Sequence, residues 1–208
     1  MQIAAYSGYP NDAAGDQRQA EALPMAVLPR IAFATSVDAV WPFDPPNQIH
    51  YSNKQLPSQR LARSVLSVEY GLGAPGAATS PLYVGAAEAP PGADPLMVAV
   101  DVELSGCVGG CTARPWTEPP GLAPGQAAGF AIQVGDANQT WLNATTVTVT
   151  AVGVRLAAQA PAPGLPVLAT ALGRSTWPVL TVYNSVGLPL VPFCFLINGT
   201  ACYKALDA

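Results

Sequence analysis

The chain is short of charge. Charged residues fill 11% of its 208 positions, where an ordinary soluble protein has about 25%. Nine basic and thirteen acidic side chains cannot coat a surface of this size in the usual way. Much of that surface is therefore expected to be neutral or covered by other chains. Basic clusters are missing too: Arg60 and Arg63 form the one close pair, and a net charge of −4 disfavours nucleic acid as a partner. Histidine is nearly absent. His50 is the single imidazole, so any histidine-dependent nucleophile would have to use it, and no GxSxG surrounds a serine. His50 itself reads as a strand-face residue. Residues 175–203 carry no charge, but Pro178, Pro189 and Pro192 forbid a membrane-spanning helix there. The opening MQIAAYSGYPNDAAGDQ lacks the basic start and apolar run of a secretory signal, so synthesis in a cytoplasm is expected. On that expectation the sequons at Asn138, Asn143 and Asn198 are incidental.

What the chain does have is strand-like alternation. Residues 96–104, LMVAVDVEL, place Leu96, Val98, Val100, Val102 and Leu104 on one face and Met97, Ala99, Asp101 and Glu103 on the other. That period of two marks a half-buried central strand. Further strands are expected over residues 31–40, 48–55, 62–70, 82–87, 129–134, 143–156, 167–171, 177–183 and 186–197. The phase slip at residues 151–153 implies a bulge. Residues 157–166 read as a linker. Helical periodicity is weak throughout, apart from two turns over residues 16–23 that Pro24 would end. The expected fold class is all-β: a β-sandwich or jelly roll of short antiparallel strands with Pro/Gly-rich loops and an extended N-terminal arm. Residues 1–30 form the arm, lying on neighbours, and residues 31–208 form a single β-sandwich domain.

The motifs argue mostly against chemistry. GLGAPG at residues 71–76 fits GxGxxG after an expected strand, but Pro75 and Pro81 stand where the cofactor-binding helix would run, so it is a wide turn. Cys107 and Cys111, separated by Val108, Gly109 and Gly110, suit a tight turn that a disulfide could close, or two reduced thiols; the spacing makes a poor zinc half-site. Asn198-Gly199 signals a hairpin. A two-residue turn there puts Cys194 and Cys202 on opposite faces, so a bridge between them would need a longer loop. Asp101 and Glu103 share a strand face and are close enough to act as a carboxylate pair, though keeping a sheet face wet is the simpler role. No catalytic, cofactor-binding or metal-ligating set emerges, and the chain is expected not to be an enzyme. Trp41, Phe43 and Trp116, in Pro-rich stretches, are the expected interface anchors. Trp116, Trp141 and Tyr83 would serve as stacking platforms if the chain binds glycans.

Two stretches, NQIHYSNKQLPSQRLARSVLSVEYGLG at residues 47–73 and PVLTVYNSVGLPLVPFCFLIN at residues 178–198, loosely resemble structural proteins of tailed bacteriophage virions. The GLGAPGAATSP loop and the CVGGC insertion depart from that pattern. The resemblance implies a virion structural protein: a capsid decoration or cement protein, or a minor head subunit, stabilising the shell through protein–protein contacts. Its partners would be itself, as a homo-oligomer with a trimer as one option, and the major capsid or other virion proteins. It would involve no nucleic acid, membrane or cofactor, and it would reside in the virion after synthesis in the host cytoplasm. The alternative is a phage tail, fibre or adhesin-type module recognising a glycan or receptor.

Overall fold

The computed structural model describes residues 13–28, 30–39, 52–73, 78–90, 92–107, 109–114, 127–175 and 177–202. It is mostly β, with several antiparallel sheets. The strand expected at its centre is there. β2 (Met97–Ser105) buries Val98, Val100, Val102 and Leu104 on one side and turns Asp101 and Glu103 to the other. Each such aliphatic side chain removed from water contributes roughly 1.5–3 kcal/mol. β2 is flanked by β1 (Leu82–Glu88) and β8 (Gly153–Gln159), and β7 (Thr146–Val149) closes the order β1-β2-β8-β7. A second four-stranded sheet runs β12 (Phe193–Leu196), β9 (Val167–Leu172), β5 (Phe130–Val134), β6 (Trp141–Asn143). Both sheets send side chains into one core, where Val100, Val102, Val154 and Leu156 meet Phe130, Ile132, Val134 and Leu172. Two short pairs complete the sheets: β11 (Val182–Asn184) on β3 (Cys111–Ala113), and β10 (Trp177–Pro178) beside β4 (Ala127–Ala128), the latter parallel.

Several expectations are corrected. Residues 62–70 are not a strand but the end of a helix, α3 (Gln55–Tyr70), and residues 52–54 join no strand. Pro57, Arg60 and Ser64 are buried at helical spacing, while Leu66 and Tyr70, which gave the run its apparent alternation, are exposed. Gly71, read as the first glycine of a turn motif, is the helix stop. At φ 65° it donates to Ser67 O while Leu72 donates to Leu66 O, the paired bonds of a left-handed helix end. Residues 143–156 are three strands rather than one. Thr150 and Gly153 close a hairpin between β7 and β8 where a bulge was expected, and β6 belongs to the other sheet. Residues 157–159 extend β8 instead of opening a linker. Residues 31–39 form no strand beyond a single bridge position, although Phe33 to Val37 are buried.

The helical start lies on the molecule's own sheets. α1 (Ala13–Ala22) ends before Pro24, which begins the short α2 (Pro24–Val27). Arg18, fully buried, donates to the carbonyls of Gly173 and Ser175 at 2.9 Å, and Gln19 Nε2 donates to Cys194 O. At Gly15 a Cβ would come within 2.7 Å of Arg174 O, so only glycine allows this approach.

Both cysteine pairs are bridged. Cys107 joins Cys111 across a turn in which Gly109 and Gly110 adopt φ of 77° and 93°. Cys194 joins Cys202, contrary to the two-residue-turn expectation. The loop is longer: Leu196 donates to Thr200 O, Phe195 pairs with Ala201, and Gly199 takes φ 85°, so Cys194 comes to lie opposite Cys202.

Candidate functional site

The face of the first sheet that points away from the core carries the carboxylates singled out in the sequence. Asp101 lies directly across from Arg155 on β8, and the guanidinium grips it with two bonds of 2.7 Å, Nε to Oδ1 and Nη2 to Oδ2. Those hydrogen bonds hold the Asp101 carboxyl below the usual carboxylate range. Asp101 is thus an anion at neutral pH and a poor proton donor. Glu103 has a different setting. Its cross-strand partners are Gly85 on one side and Gly153 on the other, so no side chain flanks it. The result is a shallow depression of about 490 Å³, lined by Gly85, Ala87, Asp101, Glu103, Val152 and Arg155. Small walls, one unflanked carboxylate and a carboxylate–guanidinium pair suit a neutral ligand rich in hydroxyls.

A second charged cluster lies between α3 and β11. Arg60 is paired with Asp38 through Nη1–Oδ1 at 2.5 Å and Nη2–Oδ2 at 2.9 Å, and it also donates to Thr35 O. The Tyr183 hydroxyl donates to Asp38 Oδ2 at 3.2 Å, and the Arg114 guanidinium covers the Tyr183 ring at 3.9 Å. Burial first, then the Asp38 charge, pushes the Tyr183 phenol up, so it stays a donor. With its oxygens occupied by Arg60 and Tyr183, Asp38 serves to tie these elements together. Together with Ser64 Oγ, which accepts from Phe33 N, the pair ties residues 33–38 to α3. In the chain these anchors stand on either side of residues 40–51, the segment that contains His50.

The other residues singled out from the sequence fall as follows. Trp41, Phe43, His50 and Trp116 lie outside the described residues. The Tyr83 ring is stacked on Phe195 at 4.5 Å and tilted against Phe193 at 4.8 Å, so it belongs to an aromatic group of the protein itself rather than to an open platform. Trp141 is half-buried and carries the Arg174 guanidinium over its ring at 4.1 Å. Among the described residues no group of three or more His, Cys, Asp or Glu could hold a metal ion, and no described helix is long and apolar enough to cross a membrane. Arg155 was missed in the sequence. It lies 54 residues from Asp101, and only the pairing of β2 with β8 joins them.

No family model and no curated protein matches the chain. Among solved structures it is similar to a carbohydrate acetylesterase from Xanthomonas citri, with a TM-score of 0.63 at 22% sequence identity over 93% of this chain. The chain spans 39% of that protein's length. At this identity the likeness establishes a shared fold. It also overturns the expectation that the chain is not an enzyme, since this structural neighbour is a carbohydrate acetylesterase.

Proposed function

We propose that the chain is a β-sandwich module of a carbohydrate-ester hydrolase. The observation that carries this reading is the fold shared over 93% of the chain with a carbohydrate acetylesterase. The outer face of the first sheet supports it, since Glu103 between two glycines and the neighbouring Asp101–Arg155 pair offer acceptors and donors to sugar hydroxyls. Ester hydrolysis near neutral pH needs a group that accepts a proton from the attacking hydroxyl and returns it to the departing sugar oxygen. All four cysteines are bridged, which favours an oxidising compartment such as a periplasm or the extracellular space.

The test is acetate release from an acetylated oligosaccharide by the 208-residue chain. Glu103→Ala should raise KM with little change in kcat. A chain that neither releases acetate nor binds the oligosaccharide overturns the proposal. No observation in the structure bears on a virion role, self-association or shell contacts; the mass of the chain by light scattering, alone and mixed with capsid protein, would test them.

A further inference from the structure

Five of the chain's seven asparagines lie among the described residues, and their surroundings divide them. Asn184 is 4% exposed, and its Nδ2 is committed to Thr79 O. Asn53 is half-buried, and its Oδ1 accepts from Leu56 N. Asn138, Asn143 and Asn198 are exposed, and among the described residues no hydrogen bond uses their Nδ2 atoms. These three are also the ones that stand two residues before a threonine: Asn138-Gln139-Thr140, Asn143-Ala144-Thr145 and Asn198-Gly199-Thr200. That is the acceptor pattern for N-linked glycans, which are bulky and need surface positions. At Asn198 the side-chain Oδ1 accepts from Thr200 N at 3.0 Å, which leaves Nδ2 as the uncommitted end of the carboxamide. The three positions also share a region of the fold. β6 and β12 are the outermost strands of the second sheet. Asn138 precedes β6, Asn143 ends it, and Asn198 lies in the hairpin that leaves β12.

We infer that Asn138, Asn143 and Asn198 carry N-linked glycans. The donor, used by an oligosaccharyl transferase, is a polyprenyl-diphosphate-linked oligosaccharide. Nδ2 forms a bond to C1 of the first sugar and gives up one proton, while the bond from C1 to the diphosphate oxygen breaks and the diphosphate leaves with the electron pair. The product keeps Oδ1, so at Asn198 the bond from Thr200 N survives. The Thr140 and Thr145 hydroxyls are bonded in the fold, to Asp136 and to Ala157 O, so transfer at Asn138 and Asn143 precedes the closing of these loops. The two bridged cysteine pairs favour the oxidising compartments in which such transfer runs. The glycans give a chain with 11% charged residues the hydration its surface otherwise lacks. They also stand at both margins of the second sheet, where outermost strands invite pairing with other chains. The inference is independent of the hydrolase reading.

The intact mass of the chain purified from the organism that makes it tests this. A mass above the 21.4 kDa of the polypeptide is expected. Treatment with a peptide-N-glycosidase in heavy-oxygen water should return it close to that value and turn each glycosylated asparagine into a labelled aspartate. Peptide mapping should then find the label at Asn138, Asn143 and Asn198 and not at Asn53 or Asn184. In the same organism, Thr200→Ala should remove the label at Asn198 alone and Thr200→Ser should retain it, so the loss would not reflect misfolding. By light scattering, the deglycosylated chain should form larger particles at concentrations where the glycosylated chain does not. A polypeptide of unaltered mass, with all three asparagines unlabelled, overturns the inference. Labelled sites with unchanged scattering keep the glycans and overturn their part in solubility.

Discussion

Replacing Asp38 by asparagine removes the anion at the centre of the cluster between α3 and β11 while nearly preserving its shape. The Asp38 and Arg60 side chains are 13% and 8% exposed and share two bonds, at 2.5 and 2.9 Å. Taking away one partner leaves a buried guanidinium whose remaining described acceptor is Thr35 O. Breaking such a pair typically costs about 3–5 kcal/mol. Asparagine keeps one acceptor oxygen, so the lower end, ~3 kcal/mol, is expected. For a chain of this length each kcal/mol moves the melting temperature by roughly 2–4 °C, which gives a fall of about 6–12 °C by calorimetry. Leucine at Asp38 combined with methionine at Arg60 should recover most of that loss, because the cost lies in the unpaired charge rather than in the missing attraction. A shift under about 1 °C, or a double variant no better than the single one, would refute the view that this pair is a desolvated strut.

Gly153→Ala should destabilise by about 2 kcal/mol or more in denaturant titration, since a Cβ there would sit 2.0 Å from Val102 O in the adjoining strand. Changing Cys194 and Cys202 together to serine opens a loop with a sequence separation of 8, and loop-closure entropy puts the loss at about 2.5 kcal/mol, read as a lower urea midpoint. Asp101 should confer acid sensitivity. Its folded-state pKa is lowered by Arg155, so its contribution is present above the unfolded value of about 3.9 and is lost as pH falls through the folded one. The difference in melting temperature between the unaltered chain and Asp101→Asn should accordingly shrink between pH 5 and pH 3, and it should be modest throughout because both partners are substantially exposed. A difference that grows on acidification would contradict the pairing.

The sequence by itself determined which residues make the central strand and which of its faces is wet. Alternation is a local property, and Val98, Val100, Val102 and Leu104 could not be buried without turning Asp101 and Glu103 outward. It also fixed the tight turn at Cys107–Cys111, because consecutive glycines there admit positive φ. It misread α3, where Leu66, Val68 and Tyr70 imitate a strand, because the helix is selected by what Arg60 and Ser64 meet in residues distant along the chain. Only the tertiary structure decided the rest: Arg155 beside Asp101, glycines on both sides of Glu103, and Asp38 against Arg60 and Tyr183. Each of these joins residues far apart in the chain. Such pairings follow from which strands become neighbours and how a common core draws them together, and no local pattern encodes either.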